Sequence, residues 1–311
     1  MSEFTISPWQ GDAPMKPWPS LADKAFCLKY CSGESIFYYN AIPIDLPPQG
    51  SHPVFVLVHG LGDEADSWRH IIPLLCNQGC QVLAPDLPGF GRSIAQGKIS
   101  MKSHAIAVIK FIEAVLKPQN PVYLVGSSMG AMVTEMVILL KPELISGIIL
   151  VSGSIPGGPA NPGFLAVAKM LLSRKWYKAY RDAPKDLWAT LYPYYADLDS
   201  LPQEDRDFLK ERVMERVESS SQERAFFATQ SSIVRAYIFS VSRISRKIRR
   251  FPGKILLVWG EKDRIIPLSS TKAFTALRSD IKLEVIPGAG HLPQQEKPEA
   301  LVHLIVDFIR K

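Results

Sequence analysis

Apolar residues fill the stretches Val54-Phe55-Val56-Leu57-Val58 and Val122-Tyr123-Leu124-Val125 without a polar interruption. Similar runs recur in CQVLAPD, ISGIILVSG and KILLVWGEKD. Short runs that are apolar throughout, rather than alternating, predict strands buried on both faces. Between them lie helical periods: residues 65–78 with Pro73 as a kink or late start, and 103–116 with Ser103 as a cap. Further helices are predicted over AMVTEMVILLKP, SSTKAFTALRS and KPEALVHLIVDFIRK, the last with Pro298 in its first turn. AFCLKYCS and ESIFYYNAIP, joined through Gly33, precede this series, and IKLEVIPGAGH supplies a final strand. The alternation predicts an α/β fold: a mostly parallel, eight-stranded sheet flanked by helices.

The alternation stops at Gly153 and resumes at Lys254. Residues 153–252 open on SGSIPGGPANPG, continue in helical periods rich in aromatics (Trp176, Tyr177, Tyr180, Trp188, Tyr192, Tyr194, Tyr195) and end at Phe251-Pro252. A helical insertion between two strands of one sheet reads as a cap over the sheet's carboxyl edge, where open parallel sheets bind ligands. The aromatic group reads first as the core of that cap and second as a substrate wall. Residues 1–25, with their Trp and Pro content, read as an irregular arm on the surface.

Charge singles out the same insertion. The net charge is +6, and residues 153–252 carry 17 Lys and Arg against 11 Asp and Glu, while the remainder carries 19 against 19. The excess is sharpest where Arg235, Arg243, Arg246, Lys247, Arg249 and Arg250 interleave with Tyr237, Ile238, Phe239, Val241, Ile244 and Ile248. One reading is a solvated helix face packed by its apolar side. The other is peripheral contact with an anionic surface or substrate, such as phospholipid headgroups or acyl-CoA phosphates. No nucleic-acid motif accompanies the charge.

No apolar run is long enough to span a bilayer, and the N-terminus lacks a basic segment followed by an apolar one, so a cytoplasmic location is expected. Cys27, Cys31, Cys76 and Cys80 form two C-x3-C pairs. Metal sites favour C-x2-C, so reduced, packed thiols are expected, with no metal and no cofactor.

The chemistry lies at the predicted strand ends. Gly126-Ser127-Ser128-Met129-Gly130 joins a buried strand to a helix, lifting Ser128 onto a turn that needs small neighbours two residues to either side. A serine hydroxyl needs a base within reach, and that base needs an acid to fix its tautomer. Asp263, in Gly260-Glu261-Lys262-Asp263, leaves the sheet at the same edge, and His291 follows Gly288-Ala289-Gly290 after the last strand. Glu261 is the rival acid. Asp86 is expected to order its own Gly-rich turn, and His70, His104 and His303 to be surface or packing residues.

Taken together, HGLG at 59–62, DLPGFGRS at 86–93, GSSMG at 126–130, GEKD at 260–263 and GAGHLPQQEKPE at 288–299 resemble the α/β-hydrolase superfamily, in its capped single-domain form. The resemblance covers about residues 26–152 and 253–310, implying a core of 26–152 and 253–311 with a helical cap at 153–252. It implies a Ser128–His291–Asp263 triad and an oxyanion hole made by the backbone N–H groups of Leu61 and Met129, with His59 structural. It also implies an esterase- or lipase-like hydrolase (EC 3.1.1) acting on a small-molecule acyl ester, possible alternatives being a thioester, an amide or a C–C bond. A receptor-like protein that kept its triad is a further alternative. Haloalkane dehalogenases and epoxide hydrolases of this fold carry an aspartate where Ser128 stands. C–C hydrolases usually carry Pro-Gly after the oxyanion loop, where this chain has Gly62-Asp63-Glu64. No motif bears on oligomeric state.

Overall fold

Nine strands form one sheet in the order β1-β2-β3-β5-β4-β6-β7-β8-β9 in the computed structural model, which describes residues 3–11, 15–45, 52–116, 120–156, 181–182 and 187–310. β4 (Val54–Val58), β5 (Gln81–Pro85), β6 (Val122–Ser127), β7 (Gly147–Val151), β8 (Lys254–Gly260) and β9 (Lys282–Ile286) run parallel. β1 (Phe4–Pro8), β2 (Ala25–Tyr30) and β3 (Ser35–Ala41) add an antiparallel wing on β5. Every residue of β4 and β7 is buried, as unbroken apolar strands require.

The ninth strand corrects the expected eight. β1 belongs to the arm read as irregular, and it pairs with β2 from Phe4↔Tyr30 to Pro8↔Phe26. Its Pro8 and partly exposed pattern suit an edge strand, and such a strand gives a weak sequence signal. A second correction concerns α2 (Met101–Val115). Its cap is Ser100, whose side chain accepts the Ser103 N–H, while the Ser103 side chain accepts the Ser100 N–H. Ser103 therefore serves as the third helical residue of a capping box.

Helices cover both faces. α1 (Ile71–Cys76) and α9 (Pro298–Arg310) cover one, while α2 and α3 (Met129–Leu140) lie on the other. α3 is buried on nearly all sides, consistent with an apolar sequence lacking a polar stripe. Between β7 and β8 the described chain is helical: 3-10 turns at Trp188–Tyr194 and Leu198–Ser200, then α4 (Gln203–Glu218), α5 (Ser220–Phe239) and α6 (Val241–Arg250). Short helices α7 (Thr271–Thr275) and α8 (Pro293–Glu296) complete the core. Of the aromatic group, Tyr195 is buried with Leu198, Leu201 and Leu209, Trp188 and Tyr194 pack against that cluster, and Tyr192 is exposed. Trp176, Tyr177 and Tyr180 lie outside the described residues.

Buried ion pairs fasten the arm and α4 to the core. Arg92 pairs with Asp86 at 2.8 Å and with Asp66 at 2.9 Å, all three side chains fully buried. Asp66 also accepts the Trp18 N–H at 3.0 Å and the Tyr39 hydroxyl. From α4, Arg212 donates to the Lys16 carbonyl at 2.5 Å and lies 3.5 Å from Glu64. Arg69 and His70 both reach Asp205 of α4, at 2.6 and 2.8 Å. Burial alone would push Asp86 upward, but the Arg92 charge and hydrogen bonds from Arg92 and the Ala65 N–H hold its carboxyl below the usual range. Breaking one partner of such a pair typically costs about 3–5 kcal/mol, because the other charge stays buried.

Glu135, on α3, is buried, and no cation pairs with it among the described residues. One oxygen accepts the Ile155 N–H at 2.7 Å, and the other has no hydrogen-bond partner among the described residues. Burial outweighs the Ile155 N–H and the nearby Ser154 hydroxyl, both of which favour the charged form, and pushes its carboxyl up to about 8 from 4.5. A pKa raised on folding leaves stability intact below the unfolded value and erodes it as pH climbs to the folded one. Glu135→Gln is therefore expected to melt close to wild type at about pH 4.5 and higher than wild type above pH 8, by on the order of 5 °C. Thermal melts across that range check this; a constant offset would contradict it.

Candidate active site

Ser128 occupies a backbone conformation that few side chains adopt, φ 53° and ψ −114°, between the end of β6 and the start of α3. The strand-to-helix crowding explains its neighbours. A Cβ on Gly126 would run into the Gly130 carbonyl, and one on Gly130 would run into the Val58 carbonyl of β4. The turn is pinned by the Ser128 N–H, which donates to the Val151 carbonyl at 2.8 Å. These contacts leave the Ser128 hydroxyl at the carboxyl edge of the sheet, half-buried, at the N-terminus of α3.

The structure brings Ser128, His291 and Asp263 into one hydrogen-bonded series. Ser128 Oγ stands 2.9 Å from His291 Nε2, and His291 Nδ1 stands 2.9 and 3.1 Å from the two Asp263 oxygens. The His291 and Asp263 side chains are at most 1% exposed. Asp263 is itself oriented by the N–H groups of Ile265 and Ile266, both at 2.9 Å. Glu261 is exposed and accepts the Gly288 N–H at 2.9 Å, at the base of the histidine loop.

Gly60 lies against Ser128, close enough that a Cβ there would sit 3.6 Å from Ser128 Cβ. Leu61 follows Gly60 and Met129 follows Ser128 in the chain, and among the described residues neither N–H group donates to a protein acceptor. His59 is buried and bridges two loops: Nδ1–H donates to the Gly60 carbonyl at 2.8 Å, and Nε2 accepts the Leu87 N–H at 2.9 Å. That pairing fixes its tautomer and ties the HGLG loop to the DLPGFGRS turn. In that turn a Cβ on Gly91 (φ 53°) would strike the Asp86 carboxylate. His104 is buried against Thr229 at 2.9 Å, burial pushing its imidazole down to about 3, and His303 is exposed. His70, held by Asp205, joins core to cap.

Sequence reasoning missed several groups that shape this site. Arg216, from α4, grips the residues after the HGLG loop: Nη2 reaches Asp63 at 2.5 Å and Glu64 at 2.7 Å, and Nε reaches Glu64 at 2.8 Å. Burial opposes its charge, but the Glu64 and Asp63 carboxylates hold its pKa above the ordinary guanidinium value. The His291 N–H donates to the Tyr194 carbonyl at 2.8 Å, and the Tyr194 ring lies 5.8 Å from the imidazole. Glu296 accepts the N–H groups of Gly290 and Ala196, both at 2.6 Å, and Gln295 accepts the Tyr195 hydroxyl at 2.8 Å. Gln294 donates to Ser127 Oγ at 3.1 Å. The segment of residues 194–196, between β7 and β8, thereby holds the histidine loop directly. The segment PQQE was visible as part of a motif, but its partners lie about a hundred residues away in sequence.

Comparison with known proteins agrees with this architecture. A family model described as "Alpha/beta hydrolase family" matches residues 55–304. A pimeloyl-[acyl-carrier protein] methyl ester esterase of Methylococcus capsulatus is 26% identical over 84% of this chain and 96% of its own length. A 2-hydroxy-6-oxononadienedioate/2-hydroxy-6-oxononatrienedioate hydrolase of Comamonas testosteroni is 26% identical over 86% of this chain and 91% of its own. Among solved structures, a thermophilic esterase from Thermogutta terrifontis superposes with a TM-score of 0.68 at 21% identity, covering 90% of this chain and 95% of that one. With a family match over residues 55–304, most of its length, this chain belongs to the alpha/beta hydrolase family.

Proposed function

We propose that the protein is a serine hydrolase that cleaves a carboxylic ester, or a thioester, through an acyl-enzyme. The observation that carries this reading is the unbroken hydrogen-bonded series from Ser128 Oγ through His291 to Asp263. In it, Ser128 Oγ attacks the acyl carbonyl while His291 Nε2 takes the hydroxyl proton, and Asp263 steadies the imidazolium. The Leu61 and Met129 N–H groups receive the oxyanion, a contribution of several kcal/mol to the barrier where both donors are preorganised. His291 then returns the proton to the leaving alcohol or thiol. Water, deprotonated by the same imidazole, releases the acid and regenerates Ser128.

An apolar acyl group fits the surroundings. Leu61 is half-buried, the Phe226 ring closes over Gly62, and the Tyr194 ring flanks His291. Cleavage of a C–C bond is the second reading, supported by the likeness to the Comamonas testosteroni hydrolase, whose named substrates are dicarboxylates. Against it, Arg216 is already neutralised by Asp63 and Glu64, so it does not offer a substrate carboxylate an unpaired charge. The ester reading is therefore preferred.

Three outcomes test the proposal. A fluorophosphonate probe is expected to label wild type and not Ser128→Ala, with multiple turnover of p-nitrophenyl octanoate in preference to the acetate. Labelling that survives in the variant would contradict the nucleophile, and indifference to chain length would contradict the apolar pocket. Asp263→Asn is expected to lower kcat by about 10³-fold or more while leaving the fold intact, since it leaves His291 in the wrong tautomer; full activity would remove Asp263 from the series. Arg216→Gln is expected to lower kcat by on the order of tenfold to a hundredfold, with a smaller effect on KM, by loosening the oxyanion loop. Arg216→Lys should restore part of that loss. A change in KM alone would assign Arg216 to substrate binding instead.

A further inference from the structure

The outer edge of the cap is a cationic stripe with an apolar tip. α5 and α6 join through Ser240, whose backbone stays in the helical region (φ −115°, ψ −15°). Its N–H donates to the Ala236 carbonyl at 2.8 Å, and its carbonyl accepts the Ile244 N–H at 2.9 Å. Across this join Arg235, Phe239, Arg243, Arg246 and Arg250 follow at spacings of four, four, three and four residues, which is one stripe of a helix, and all five are exposed. Lys247, Arg249 and Ile238 widen it and are exposed too. The opposite face is fixed, because Ile244 and Ile248 are fully buried in the core that includes α3.

Two observations separate this edge from an ordinary solvated helix. The first is uncompensated charge. From Arg224 to Gly260 the sequence contains no Asp or Glu. Within the described residues, none of the stripe's cations forms an ion pair, whereas the buried Arg69, Arg92 and Arg212 and the half-buried Arg216 each meet a carboxylate. A helix face that serves only solubility usually mixes both signs. The second is the tip: Ile238 and Phe239, adjacent in sequence, are 63% and 69% exposed in the middle of the cations. The tip is anchored from within, since Tyr237 reaches the Ser154 carbonyl at 3.3 Å, where the chain leaves β7.

We propose that this stripe docks the protein on an anionic phospholipid bilayer. The arginines and Lys247 meet lipid phosphates, and Phe239 and Ile238 enter the headgroup–acyl boundary. Charge complementarity argues for an anionic partner. The exposed apolar pair in the middle of the cations favours a surface with an apolar interior over a nucleic acid, since the stripe exposes one aromatic ring, Phe239, and no series of rings on which successive bases could stack. The inference is independent of the reaction catalysed at Ser128.

Co-sedimentation of the full chain with phosphatidylcholine vesicles, with and without about 30% phosphatidylglycerol, tests it. Binding is expected only to the anionic vesicles, weakening as salt is raised. Arg243→Glu/Arg246→Glu should lower the apparent affinity by about tenfold or more. Ile238→Ser/Phe239→Ser should lower it several-fold even at low salt, and Lys29→Glu/Lys98→Glu, an equal charge change elsewhere on the exposed surface, should leave it unchanged. Thermal melts verify that each variant is folded. Equal binding to both vesicle types, no binding to either, or equal losses from both charge-reversed pairs would overturn the proposal. Retention on heparin without vesicle binding would overturn it as well, assigning the stripe to a soluble polyanion.

Discussion

The left-handed backbone of Ser128 is the constraint on which the site depends. An L-residue held at φ 53° costs energy that the surrounding structure must offset. It is offset by the Ser128 N–H to Val151 carbonyl bond and by packing that Gly126 and Gly130 permit only because they lack side chains. The same turn places the hydroxyl beside the first N–H of α3 and within reach of loops leaving β4, β8 and β9. Parallel strands deliver those loops to one edge, so Ser128, at the end of β6, meets His291 from the loop after β9, which in turn meets Asp263 from the loop after β8.

A second level of organisation lies in buried charge. The Asp63–Glu64–Asp66 segment follows the oxyanion loop and is held by Arg92 from the core and by Arg212 and Arg216 from the cap. The histidine loop is held from the cap as well, through the Tyr194 carbonyl and the Ala196 N–H. The helical segment between β7 and β8 and the loops around Ser128 and His291 therefore share their supports. Any displacement of α4 relative to the sheet would disturb the oxyanion loop, and any displacement of the Tyr194–Ala196 turn would disturb His291.

What the sequence disclosed follows from this division. The central strands, and the grouping of Ser128, Asp263 and His291 at one sheet edge, were legible because each of the three lies in the turn that ends an apolar run. Local pattern suffices there. Arg216 was not legible, because its partners stand 153 and 152 residues away and nothing local distinguishes it from Arg206 or Arg224. β1 was missed because an edge strand with a proline lacks the apolar continuity of a central one. The capping of α2 by Ser100 was misassigned to Ser103 since both serines suit the position, and the hydrogen bonds between them decide the matter. The basic stripe was visible as composition, whereas the exposure of Ile238 and Phe239 within it required the fold.

The central claim, a covalent acyl-enzyme on Ser128, is tested most directly by rapid quench. The enzyme is mixed with excess p-nitrophenyl octanoate, stopped in acid within milliseconds, digested and weighed by mass spectrometry. The account predicts an octanoyl adduct on the peptide that contains Ser128, formed together with a burst of p-nitrophenolate approaching one equivalent. Steady turnover with neither a burst nor an adduct, under conditions where an acylated control hydrolase is trapped, would show that water attacks the substrate directly and would contradict the account.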